Sequence, residues 1–288
     1  MQLTDAFRLL QDDVIVMPKK KILFVTHKIF PYLPVDEETL GKELPQKLSS
    51  RGFEIRTFMP KFGAINERRN QLHEVIRLSG MNIVINNTDH PLVLKVASLQ
   101  PARIQVYFID NDDYFIKSPD DEDVLGSNRQ DNDERAIFFA RGTAETVKKL
   151  RWEPEIVHVS GWITSLLPFY LRKIYGKDPI YYRTKIIYSV LPGEITGGLD
   201  KDFFNKLLEE GFKDEELKPY AELPLNTNLL HRLAIDHSDA VIFHEENPDE
   251  EILSFARNAK VPVLLHSDLD SDGKIISDFY TKLIDEKE

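Results

Sequence analysis

Asp131 and Asn132 open a segment with helical apolar spacing. Asp110 and Asn111 close one apolar run, and His158 closes another, with Trp162 shortly after it. Carboxylates and amides placed this way can hydrogen-bond the hydroxyl groups of a ligand, and an imidazole can donate or accept in the same setting. Each residue also has a plainer structural role available. Asp is a favoured helix cap, and Asp131 followed by Asn132 and Glu134 fits that pattern, so capping and ligand binding can coexist there. A lone histidine at a strand end is more often buried and satisfied than reactive. The candidate binding set is therefore Asp110, Asn111, Asp131, Asn132, His158 and Trp162, and no residue is assigned a catalytic role.

To converge, these side chains need a scaffold that brings the ends of distant segments together. Short apolar runs suited to buried parallel strands occur at Ile22 to Thr26, Ile55 to Met59, Ile156 to Val159, Ile186 to Val190, Ala240 to Phe243 and Val261 to Leu265, with helical periodicity in most intervals. Met81 to Ile85, Leu92 to Ser98 and Ile104 to Ile109, punctuated by Asn86-Asn87 and Gln100-Pro101, predict a β-meander after the second strand. The fold class is α/β: a Rossmann-like, doubly wound, mostly parallel sheet with an inserted β-meander. Ligands of such sheets bind beyond the carboxyl ends of the strands, which selects residues 27–36, 110–115, 131, 160–163 and 191–198. Ile275, Ile276, Phe279, Tyr280, Leu283 and Ile284 predict a closing amphipathic helix. Residues 1–20, with Leu3, Phe7, Leu10 and Val14 on one helical stripe, read as an N-terminal extension, and residues 21–288 as one domain.

Composition narrows the function. A chain of 288 residues with 42% hydrophobic content can bury one sizeable core. No apolar run reaches the roughly 20 residues that span a bilayer, and Asp12 and Asp13 interrupt any secretory pattern, so a cytoplasmic protein is expected. A net charge of −11 argues against nucleic-acid and anionic-membrane partners. Without cysteine there are no disulfides or thiolate metal sites. The Asp268 to Gly273 run imitates a calcium loop but has Phe279 where a bidentate glutamate is required. His73, His90, His231, His237, His244 and His266 lack metal-ligand spacing, and the acidic Pro119 to Asp123 stretch reads as a solvated loop. No metal and no cofactor are assigned.

A wider pattern runs through the chain. Ile22-Leu23-Phe24-Val25-Thr26 is followed by Phe30-Pro31, Leu44-Pro45-Gln46-Lys47-Leu48, Arg51-Gly52-Phe53-Glu54-Ile55-Arg56 and Met59-Pro60-Lys61-Phe62-Gly63. Then come Val106-Tyr107-Phe108-Ile109-Asp110-Asn111 with Tyr114-Phe115, Asp131-Asn132-Asp133-Glu134-Arg135 ahead of Phe138-Phe139, and Trp152-Glu153-Pro154-Glu155-Ile156-Val157-His158. Together these segments resemble the N-terminal half of the glycogen and starch synthases, glycosyltransferases of GT-B type. The resemblance implies a Rossmann-like domain forming one wall of a cleft, glucosyl transfer from ADP-glucose to an α-1,4-glucan, and a second domain supplying most nucleotide-sugar contacts. It also implies that the residue matching Asp131 faces the cleft.

The chain departs from that pattern where the family's chemistry is concentrated. The family's H-A-H-D-W-H is His158-Val159-Ser160-Gly161-Trp162-Ile163 here, without two histidines and the Asp. The K-x-G-G-L-G-D loop, whose glycine amides and lysine meet the donor phosphates, is replaced by Tyr32-Leu33-Pro34-Val35-Asp36-Glu37-Glu38-Thr39-Leu40-Gly41-Lys42. Its Pro34 removes a donor and its acids repel a diphosphate. The H-N-x-x-Y-Q-G loop has become Ser189-Val190-Leu191-Pro192-Gly193 or its neighbours. The expectation is a synthase-type domain impaired or inactive alone, with ADP-glucose a substrate only if activity persists. The alternative is a noncatalytic glucan-binding or regulatory protein. Expected partners are an α-glucan or a separate donor-domain chain, and a homo-oligomer through the eroded cleft is a third reading, which an exposed apolar patch around Trp162 and Leu191 would favour.

Overall fold

The computed structural model describes residues 18–33, 40–116, 123–193 and 195–286. The strands are β1 (Lys21–Thr26), β2 (Glu54–Pro60), β3 (His73–Glu74), β4 (Met81–Ile85), β5 (Thr88–Leu99), β6 (Ile104–Asp110), β7 (Ile156–Ser160), β8 (Lys185–Val190), β9 (Ala240–Phe243) and β10 (Val263–Leu264). The helices are α1 (Leu40–Ser50), α2 (Asn132–Leu150), α3 (Leu166–Lys173), α4 (Phe203–Glu209), α5 (Asp214–Leu217), α6 (Thr227–Asp236), α7 (Glu250–Asn258) and α8 (Lys274–Asp285). Among the described residues no helix is long and apolar enough to cross a membrane.

The strands order as β10-β9-β8-β7-β1-β2-β6-β5-β3, with β4 paired to β5. From β10 to β6 every neighbouring pair is parallel, and β3, β4 and β5 form an antiparallel wing. The expected meander is present. Its last strand, β6, also pairs in parallel with β2, so the insertion extends the main sheet. Asn86 and Asn87 turn β4 into β5 at φ 49° and 59°, the left-handed region that Asn tolerates better than most residues.

Central strands are apolar without alternation because both faces are covered: Ile22, Leu23, Phe24 and Val25 are all buried. The chain leaves β1 toward β2 on one side and, after β6, returns to β7 on the other. Right-handed crossovers in opposite directions place α1 and α2 on opposite faces. The predicted closing helix forms as α8, whose Ile276, Tyr280 and Leu283 are buried while Ile275 faces solvent. It lies beside α1, with the Tyr280 ring 6.4 Å from Phe53. The Asp-rich run before it is a helix cap, since the Asp270 carboxylate accepts from the amides of Lys274 at 2.9 Å and Ile275 at 3.0 Å. The stripe at Leu3 to Val14 lies outside the described residues.

Candidate functional site

Strand order reverses between β1 and β7, where Thr26 pairs with Ser160, and the crevice beyond such a reversal is the usual ligand position in an open α/β sheet. His27 and Gly161 are the next residue on each strand. A Cβ on Gly161 would lie 1.8 Å from His27 Nδ1, and its φ is +92°, so only glycine fits. The imidazole fills the crevice and is 2% exposed. Neither of its nitrogens has a hydrogen-bond partner among the described residues. Burial, with a smaller push from Lys28, lowers its pKa to about 3, so it is neutral at pH 7. The acidic stretch expected to repel a diphosphate lies, over residues 34–39, outside the described residues.

A second group forms around Arg135, which is 1% exposed. Its Nε donates to the Tyr114 carbonyl at 2.9 Å, Nη1 to the Gly126 carbonyl and Asn132 Oδ1 at 2.7 Å each, and Nη2 to the Leu125 carbonyl at 2.6 Å. Rings of Phe62, Phe115 and Trp162 lie 5.7 to 5.9 Å from the guanidinium. Desolvation lowers its pKa to about 10, still charged at neutral pH. Arg135 thereby pins the loop ahead of α2, the turn after β6 and the segment after β7 to one another. Trp162 is 3% exposed; it belongs to this core, so the exposed apolar patch that would favour a homo-oligomer does not form at that residue.

Asn132 is wholly buried and its amide serves the same network, donating to the Ser127 and Arg129 carbonyls at 2.8 and 2.7 Å. Asp131 occupies the cap position of α2 without a side-chain cap bond, which corrects the capping expectation. Its carboxylate is instead taken by Arg129, whose Nε and Nη2 donate at 2.8 and 2.5 Å. A bidentate guanidinium of this geometry outcompetes a single amide. The Asp131 side chain keeps 31% of its surface open and is the most accessible member of the expected set with a charged group.

Asp110 is buried at the end of β6 and pairs with Lys95 at 2.8 Å; Glu67 bridges Lys95 and Lys61 at 2.6 and 2.8 Å. Asn111 forms an Asx turn, its Oδ1 accepting from the amides of Asp113 and Tyr114 while Nδ2 donates to the Pro91 carbonyl. His158 is buried and satisfied, with Nδ1 bonded to Tyr280 Oη and Nε2 2.5 Å from Ser189 Oγ. Burial, with a smaller contribution from His244, puts its pKa well below the usual histidine value.

The structure thus brings Asn132 and Trp162 together through Arg135, holds Asp131 beside them on Arg129, keeps Asp110 and Asn111 together at the end of β6, and places His158 in the middle of β7 and not at its end. Arg129, Arg135, His27 and Tyr280 were missed from sequence. The signal for Arg135 was a cation one residue ahead of the apolar Ala136-Ile137-Phe138-Phe139-Ala140 run, His27 opened the 27–36 stretch beyond the first strand, and Arg129 and Tyr280 had no signal for a polar role. Among the described residues no group of three or more histidines and carboxylates is placed to hold a metal ion.

Comparison with known proteins fits this geometry. The starch synthase catalytic domain profile matches residues 21–266. A glycogen synthase of Chlorobium luteolum is 32% identical over 235 residues, covering 81% of this chain and 47% of the relative. One from Chlorobium phaeovibrioides is 30% identical over 242 residues, with 83% and 48% covered. The chain therefore spans about half the length of these relatives. In structure it is similar to the catalytic domain of Starch Synthase IV from Arabidopsis thaliana bound to ADP and acarbose, with a TM-score of 0.68 at 15% identity over 86% of this chain and 52% of that one.

Proposed function

Because the chain belongs to the starch synthase catalytic-domain family, we propose that this domain holds an α-1,4-glucan and does not by itself transfer glucose from ADP-glucose. The observation that carries the proposal is the filled crevice at the strand reversal, where the His27 ring lies against Gly161. A neutral imidazole occupies the space and offers no positive charge to a diphosphate. Transfer would break the bond between the anomeric carbon and the diphosphate and form one to a glucan hydroxyl, through a transition state that needs preorganised donors. Losing one such donor costs on the order of a hundredfold to a thousandfold in rate, and the segment from His158 to Ile163 lacks three of the family's polar groups. Asp131, still partly open on a rigid helix start, is the group best placed to meet glucan hydroxyls. A cytoplasmic setting is part of the same proposal.

The second reading is a transferase whose donor half is a separate chain, and the open Asp131–Arg129 pair favours it. Glycogen co-sedimentation run beside transfer of radiolabelled glucose from ADP-glucose, with the protein alone and with the donor-domain half of a glycogen synthase added as a separate chain, separates the two. The expected result is sedimentation without transfer. Transfer by the purified protein overturns the proposal.

A further inference from the structure

The hydrogen-bond chain from Tyr280 through His158 continues past Ser189. Ser189 Oγ also lies 2.9 Å from His244 Nε2, and His244 lines a cleft of about 530 Å³ between α1 and α8. This cleft lies beyond the carboxyl ends of β8 and β9: Leu191 follows β8 and His244 follows β9. Lys47 of α1 stands on one wall, and Asp270 and Ile276 on the other. Among the described residues His244 Nδ1 has no hydrogen-bond partner.

We infer that this cleft is a saccharide-binding site, that His244 Nδ1 is its contact with a ligand hydroxyl, and that Ser189, His158 and Tyr280 are positioning residues that orient His244. The inference rests on the glucan reading above and adds a place and a contact to it.

The lining chemistry selects the ligand class. Lys47 is neutralised by Glu43 at 2.7 Å, and the Asp270 carboxylate is held by two amides of α8. Burial is the main reason that His244 has a pKa lowered to about 4, so its ring is neutral at pH 7. A phosphate meets no uncompensated cation from these groups, and the carboxylate that a cation could approach is already engaged by the amides of α8. Leu191 and Ile276 provide apolar surface for the C–H faces of a pyranose, and a neutral hydroxyl suits His244. The chain behind His244 can run in either direction. If His158 donates from Nδ1 to Tyr280, Ser189 donates to His158, His244 donates from Nε2 to Ser189, and its Nδ1 accepts. If every bond reverses, Nδ1 donates. A sugar hydroxyl, which both donates and accepts, is served by either state. The wall from Leu269 to Ile276 lies beyond residue 266, where the family match stops, so the cleft is not one that the family profile specifies.

The test is a titration of protein labelled with nitrogen-15 in its histidines, using maltotriose as the probe. Maltotriose should shift the His244 ring resonances, and His244→Ala should weaken its binding about tenfold, on the scale of a lost hydrogen bond. Leu191→Trp, which fills the cleft and leaves the hydrogen-bond chain intact, should weaken it as much and serves if His244→Ala does not fold. Ser189→Ala should change the His244 tautomer populations before any sugar is added, which a purely structural serine would not do. Maltotriose binding with His244 unmoved, or unchanged tautomers in Ser189→Ala, overturns the inference. Glycogen sedimentation with no His244 response removes the cleft and keeps the glucan reading. A His244 response without sedimentation removes the polymer reading and keeps the cleft.

Discussion

His27 and Gly161 are held so closely that the glycine's missing Cβ is the space the imidazole needs, 1.8 Å away. Gly161→Ala must therefore displace the ring and also adopt a disfavoured φ of +92°, together costing roughly 2–5 kcal/mol. Trimming the ring in the same chain, as Gly161→Ala with His27→Ala, should recover the steric part and leave the backbone part. Urea denaturation of the two single variants and the double variant checks this, and strictly additive losses would contradict it.

Arg135→Met should cost about 3–5 kcal/mol, because it strands the Tyr114, Gly126 and Leu125 carbonyls and Asn132 Oδ1 that the guanidinium now satisfies. Arg135→Lys should recover little, since one ammonium cannot serve a planar fork. Thermal unfolding of both variants decides the matter; a lysine variant as stable as the parent would show that charge alone is required.

Asp131→Ala should leave stability within about 1 kcal/mol of the parent, because it loses only a partly exposed ion pair with Arg129 and no cap bond. Its association with glycogen should fall severalfold. Unchanged co-sedimentation would remove Asp131 from the proposed site.

Acid should unfold the protein earlier than its carboxylates alone would. Burial is the leading cause of lowered pKa values at His27, to about 3, and at His231 and His244, to about 4, and it also lowers His158 and His237. A histidine with a depressed folded pKa gives its full stabilisation above the unfolded value near 6.5, and loses it as pH falls toward the folded value. At pH 5 a group that is still neutral when folded has lost roughly 2 kcal/mol. The carboxyls of Asp133 and Glu210, raised chiefly by burial, act in the opposite direction but are fewer. Urea midpoints should drop between pH 6.5 and 5, and His231→Asn should flatten that slope. A pH-independent midpoint across this window would refute the assignment.

Much of the fold was legible because both-face burial forces an apolar run: β1, β7, β8 and β9 lie within a residue of their predicted bounds. Val261 to Leu265 shrank to Val263–Leu264, since as an edge strand it has only β9 to pair with. The site was less legible. Hydrophobic periodicity says which apolar side chains turn inward, and nothing comparable marks a polar one, so Arg135 showed only as a cation ahead of an apolar run and His27 only as the first residue of a selected strand-end stretch. Asp131 illustrates the same limit: its type and position suit a cap, and only the neighbouring Arg129 decides otherwise.

Lys20, just before β1, and Asp285, the last residue of α8, are joined by an ion pair at 2.9 Å. Polypeptide entering before Lys20 or continuing after Asp285 therefore attaches at a single corner, on the side of the sheet where β1 begins. A fused reporter or affinity handle at either point would project away from the rim that carries Asp131, and would leave that rim clear for immobilised-polymer experiments.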